Sequence, residues 1–169
     1  MRVFPVLFLP LAACVSAPPP IAALAPRFSP QAFFAGATRG EGRLKIVMSG
    51  AKRVTVDGRG RMAGDTLVLD QTVTGASATP EQRQWRLREV APGRYAGTLS
   101  DAAGPVAGEV TGSRLHLQFA MKRGLVADQW LDLAADGQSA QNRMVVTKFG
   151  MTVAVLNETI RRVGSASPR

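Results

Sequence analysis

From Gly42 onward, apolar and polar residues change places at every step through one run after another, and this period of two leaves few folds open. Leu44, Ile46 and Met48 alternate with Arg43, Lys45 and Ser49, and Val54 and Val56 with Arg53, Thr55 and Asp57. Leu67 and Leu69 alternate with Val68 and Asp70; Trp85 and Leu87 face opposite to Arg86 and Arg88. Leu115, Leu117, Phe119 and Met121 face opposite to Arg114, His116, Gln118 and Lys122. Successive side chains of a strand point to opposite faces, so each run is a strand with one apolar side, as in an antiparallel sheet laid on a core. Turn signals separate the runs at Gly58 to Gly60, Ala63-Gly64-Asp65, Pro92-Gly93, Ala103-Gly104, Thr111-Gly112-Ser113 and Asp136-Gly137. About nine or ten such runs occur, and no second helical segment is long enough to cover a sheet face. A sheet of that many strands with one bare apolar side must close on itself. The pattern predicts an all-β, up-and-down antiparallel barrel of about eight to ten strands, its apolar interior large enough for one small ligand.

One short helix precedes the strands. Ser29-Pro30-Gln31-Ala32-Phe33-Phe34 begins with an N-cap residue and a proline at the first helical position, and Gly36 follows the two aromatics. The phenylalanine pair is expected to seal one end of the core. At 169 residues the chain has room for one domain.

The N-terminus carries a different kind of information. Arg2, an apolar run from Val3 to Leu11, and then Leu11-Ala12-Ala13-Cys14 resemble the processing site of bacterial lipoproteins. That resemblance implies cleavage before Cys14 and lipid on its thiol, with residues 1–13 as signal peptide. Val15 follows the cysteine, so the aspartate that retains such proteins at the inner membrane in enteric bacteria is absent, and the outer membrane, facing the periplasm, is the expected location. Val15 to Pro26, with Pro18-Pro19-Pro20, has no period and reads as a tether within 14–27. Extended at about 3.1 Å per residue it would hold the domain roughly 30 to 40 Å from the bilayer. With Cys14 given to lipid, no thiol remains for a disulfide or a metal. The formal charge of +9 falls by one, that of Arg2, on processing. In an envelope the nearest polyanions are phospholipid headgroups and not nucleic acid, although the charges are spread along the chain in no block.

The last third is more specific. Asp128-Gln129-Trp130, Gln141-Asn142-Arg143 and Thr147-Lys148-Phe149-Gly150, then an apolar strand ending in Arg161-Arg162, resemble a bacterial lipoprotein family known as a domain of unknown function, number thirty-eight thirty-three, usually described as lipocalin-like. Phe33-Phe34-Ala35-Gly36 resembles the family's opening, Trp85 its central strand, and Arg94-Tyr95-Ala96-Gly97 with Asp101, Gly104 and Gly108 its middle hairpins. The bulky residue that often follows the opening helix is replaced by Arg39-Gly40-Glu41-Gly42. The match covers 28–163, leaving 164–169 as a tail. The resemblance implies a lipocalin-like barrel and, from the lipid-modifying genes near which members tend to be encoded, a lipid-facing role. It brings no agreed activity.

Catalysis needs convergent titratable groups, and few are in view. His116 is the only histidine and shares a polar face with Arg114, Gln118 and Lys122, so it is expected to face solvent. Without a second histidine or a free cysteine a zinc site is disfavoured, and no Gly-x-Ser-x-Gly elbow supports a serine nucleophile. Neither catalysis nor a cofactor is expected. Asp128 and Asp132 flank Trp130 on one strand face. These residues, with Asn142, Arg143 and Lys148 on the next strand and Trp85, either grip a polar headgroup at the barrel mouth or lock the register, Arg143 pairing with Asp128 or Asp132. The interior lining of Leu, Ile, Val, Ala and Met suits acyl chains. The expected function is therefore binding or carrying a fatty acid, lysolipid or similar amphiphile such as palmitate. The alternative is a filled structural barrel that shows its basic surface to headgroups or a partner protein.

Overall fold

The computed structural model describes residues 25–164, so the expected signal peptide, Cys14 and most of the tether lie outside the described residues. The chain enters through the short helix α1 (Pro30–Phe34) and then runs as β1 (Gly36–Ile46), β2 (Gly50–Ala63), β3 (Thr66–Thr74), β4 (Glu81–Ala91) and β5 (Arg94–Leu99). It continues as β6 (Ala102–Thr111), β7 (Arg114–Met121), β8 (Leu125–Leu133), β9 (Ser139–Lys148) and β10 (Met151–Val163). Each strand pairs antiparallel with the next, and β10 closes on β1 with Gly40 opposite Ile160 and Leu44 opposite Leu156. The expected closed all-β barrel is found, with ten strands. Closure removes the unpaired edges that a sheet of this size would otherwise expose.

The period of two sorts the residues as expected. Leu67, Leu69, Leu87, Leu115, Leu117, Phe119, Leu131 and Ile160 turn inward and are buried, and Trp85 meets Phe119 edge-on at 5.4 Å. Burying one side chain of this size contributes about 1.5–3 kcal/mol. The outward positions between them carry charges, among them Arg59, Arg86 and Arg88, where a membrane-spanning barrel would be apolar.

Helix α1 closes one end. Ser29 accepts from the backbone N–H of Ala32 at 3.2 Å, and Pro30 takes the first position, as the cap signal predicts. Phe28, Phe33 and Phe34 are buried together, with ring centroids 5.5 Å apart for Phe28 and Phe33 and 4.9 Å for Phe33 and Phe34. The carbonyl of Phe34 lies where a Cβ at position 60 would be, so β2 needs Gly60 for the helix to dock. Arg162 donates to the carbonyls of Ala32 and Phe33, supplying a cation where the helix leaves carbonyls unpaired. The N–H of Phe28 donates to the carbonyl of Gly112 at 2.9 Å, tying the entering chain to the β6–β7 turn. The opposite end carries the β1–β2, β3–β4, β5–β6, β7–β8 and β9–β10 turns.

Candidate functional site

Besides the small Thr38 on β1, five larger polar side chains stand on the inward face, at positions the alternation assigns to apolar residues: Gln71 on β3, Arg83 on β4, Gln129 on β8, Asn142 on β9 and Glu158 on β10. They form two groups. In the first, the side-chain oxygen of Gln71 accepts from Arg83 Nε at 2.9 Å and from Trp85 Nε1 at 2.8 Å. In the second, Gln129 Nε2 donates to Asn142 Oδ1 at 3.0 Å, and Asn142 Nδ2 donates to Glu158 Oε2 at 2.7 Å. Strands β4 and β9 lie equally far apart in either direction around the barrel, so the groups stand on opposite walls.

Between them lies a cavity floored by Phe34, Leu67, Leu115 and Ile160. The volume open to the centre of a water-sized sphere is about 40 Å³, against about 490 Å³ when interstices and open solvent are counted. The smaller figure decides what fits. One water needs roughly 10–15 Å³ by that measure, so the interior admits a few waters or one small polar group as it stands.

The electrostatics of the two walls differ. Burial pulls the Arg83 guanidinium below its ordinary range, and the negative charges of Asp101, Glu158 and Glu81 oppose this. Among the described residues Arg83 forms no ion pair. Burial pushes the Glu158 carboxyl above the usual carboxylate range, against the hydrogen bond from Asn142 and the charge of Arg83. Its Oε1 is buried without a hydrogen-bond partner. That oxygen fits because β1 has no side chain at Gly40, where a Cβ would fall on it; a Cβ at Gly42 would meet the Asn157 carbonyl and the Glu158 backbone instead. The arrangement can offer a cationic donor fork on one wall and a protonatable oxygen on the other.

The sequence-predicted site residues are divided by the barrel wall. Trp85 and Asn142 face inward and belong to the two groups above. Asp128, Trp130 and Asp132 lie on the outer face of β8 and do not line the interior. Asp132 takes a bidentate pair from Arg114, Nε at 2.7 Å and Nη2 at 2.8 Å, and Asp128 takes His116 Nε2 at 3.1 Å and Gln118 Nε2 at 2.7 Å. The acids thus find partners on β7, whereas Arg143 of β9 stands opposite Trp130. The register explains it: Arg114 is opposite Asp132, His116 opposite Trp130 and Gln118 opposite Asp128. The His116 ring also stacks on Trp130 at 5.0 Å and 3°. Lys148 sits at the β9–β10 turn, its Nζ 5.6 Å from the Phe149 ring centroid. Sequence reasoning missed Gln71, Arg83, Gln129 and Glu158. Their signal was parity, a polar residue in step with Leu, Trp or Ile two positions away. Among the described residues no group of three or more His, Cys, Asp or Glu side chains converges to hold a metal ion.

An S-type phycobiliprotein lyase from Guillardia theta has a similar solved structure, with a TM-score of 0.61 at 9% identity over 78% of this chain and 89% of that one. At that identity the likeness establishes the lipocalin-like fold alone. No curated protein matches the sequence. With residues 8–162 matching its pattern, the chain belongs to the family described as Protein of unknown function (DUF3833).

Proposed function

We propose that this chain is a lipoprotein of the bacterial envelope, anchored through lipid on Cys14, whose barrel binds the anionic end of a small amphiphile, a fatty acid or lysolipid, without converting it. The observation that carries the reading is Arg83: a desolvated guanidinium on a cavity wall, hydrogen-bonded to a neutral amide and paired with no carboxylate among the described residues. A desolvated charge costs several kcal/mol unless compensated; Asp101, Glu158 and Glu81 act on it only from beyond ion-pair distance, and a ligand anion is the close partner that such a site would take. Glu158 on the opposite wall, inclined to stay protonated, would donate to the same headgroup and not repel it. The leucine-rich floor suits an acyl chain. Room for that chain must come from side-chain movement. Met121 and Met144, flexible and only partly buried against the core, are the candidates to yield. Catalysis is not part of the reading, because among the described residues Glu158 is the single carboxylic acid on the cavity wall and no nucleophile stands beside it there.

The small cavity favours a second reading, a filled barrel with a structural or interaction role. Native mass spectrometry with solvent extraction of the full chain, purified from a bacterial host, separates the two. A stoichiometric, non-covalent fatty acid or lysolipid, lost in Arg83→Met, is the expected result. A clean apo mass that added palmitate and lysophosphatidylcholine leave unchanged overturns the binding reading and leaves the filled barrel.

A further inference from the structure

The end of the barrel opposite α1 has a composition unlike the rest of the surface. The chain has four lysines, Lys45, Lys52, Lys122 and Lys148, and all four lie in or beside the turns at this end. Arg53 and Arg123 join them, against Glu81 and the half-buried Asp101 as the acids of these turns. Large apolar side chains project from the same turns: Met48 is 100% exposed and Phe149 84%, with Val47 and Met151 exposed beside them. The β1–β2 and β9–β10 turns that carry these four are neighbours, joined by the Val47 N–H donating to the Val153 carbonyl at 2.9 Å.

The backbone gives an independent sign. Among the described residues three non-glycine residues adopt positive φ, Met48 at 65°, Arg123 at 63° and Phe149 at 50°, and each is at the tip of a turn at this end. Side chains other than Asn and Asp rarely take this conformation, and a turn that needs it ordinarily uses Gly or Asn. Here a methionine, an arginine and a phenylalanine are held there and aimed at solvent. Strained tips that display apolar and cationic side chains are a functional sign, since neither folding nor solubility calls for them.

We infer that the β1–β2 and β9–β10 tips dock this end of the barrel on an anionic bilayer surface, Met48 and Phe149 entering the boundary between headgroups and acyl chains while the lysines, Arg53 and Arg123 meet phosphates. Charge complementarity selects this occupant. Basic residues around protruding apolar tips match an anionic interface, whereas the arginine-studded outer wall offers no apolar band for insertion. Lys148 lying against the Phe149 ring fits the same picture, with ring inward and ammonium at headgroup level. The inference stands whether or not the cavity holds an amphiphile. Where it does, docking here places the end of the barrel not sealed by α1 against the membrane.

The test is flotation of the full chain carrying Cys14→Ser, which removes any lipid anchor, with vesicles of phosphatidylglycerol and phosphatidylethanolamine or of phosphatidylcholine alone. The expected result is salt-sensitive binding to the anionic vesicles. Further substitution of Met48→Ser with Phe149→Ser should lower it about tenfold, as should Lys45→Gln with Lys148→Gln. Circular dichroism of each variant checks that the barrel remains folded. Failure of the Cys14→Ser chain to bind anionic vesicles overturns the inference. So does binding that the folded Met48 and Phe149 variant retains, because the contact would then lie elsewhere.

Discussion

The carboxyl group of Glu158 on β10 lies against the backbone of Gly40 on β1, in the space where any other residue would carry its Cβ. The buried acid and the glycine are therefore one feature shared by two strands. Gly40→Ala forces the carboxyl aside and strains its hydrogen bond from Asn142. The expected loss is about 1–3 kcal/mol, as for overpacking in a filled core. Gly104 on β6 has open space at its Cβ position, and Gly104→Ala should change stability by no more than about 0.5 kcal/mol. Urea midpoints of the two variants make the comparison; equal values would mean that Glu158 moves aside without cost.

Glu158 also sets a pH dependence. Its folded-state pKa lies above the ordinary value of 4.5, chiefly through burial, so the native chain holds this proton more tightly than the unfolded one. Stability from this group is then fully present below the unfolded value and is lost as pH rises through the folded one. Glu158→Gln removes the titration. The stability of the parent chain relative to this variant should fall steadily as the pH is raised from 4 through the native titration, read from urea midpoints at each pH. Parallel curves would show that the acid is not held protonated.

The inward polar residues show what could be read from sequence and what could not. Strand number, closure and the Phe33 and Phe34 seal follow from alternation and one cap signal, because which side of a strand is buried depends on sequence parity alone. The same rule places Asp128, Trp130 and Asp132 outside, in step with the exposed side of β8, while Gln129 between them shares the parity of Ala127 and Leu131. Side-chain chemistry singles out the acids and the indole, whereas parity singles out Gln129. Arg83 is two positions from Trp85, and Glu158 two from both Leu156 and Ile160. That the two polar groups face each other across the cavity could not be read from sequence, because β4 and β9 are brought opposite only by closure. Nor could alternation show whether the interior is hollow, since that depends on the summed volumes of inward side chains.

Arg83 separates a ligand anchor from a structural residue. Arg83→Met keeps the apolar stem and removes the desolvated charge, and Gln71 keeps its bond from Trp85. Replacing a buried ion by an apolar side chain of similar volume is often neutral or stabilising. The expected change in unfolding free energy is thus within about 1 kcal/mol, accompanied by loss of an anionic fluorescent fatty acid in titration. Destabilisation of several kcal/mol with fatty acid binding intact would assign Arg83 to the framework.

The outer wall of β7 and β8 gives the last prediction. Arg114 and Asp132 pair bidentately with side chains 10% and 21% exposed, while Arg39 and Asp57 pair at 3.1 Å with side chains 52% and 56% exposed. Solvent screens the second pair, which should contribute at most about 1 kcal/mol. The first is short, forked and largely shielded, and both partners sit in register on adjacent strands, so Asp132→Asn should cost about 1.5–3 kcal/mol. A double-mutant cycle with Arg114→Met isolates the pair from each residue's other interactions. A coupling energy near zero would mean that the β7–β8 register is held by the backbone ladder and by the inward leucines, with the ion pair adding nothing to it.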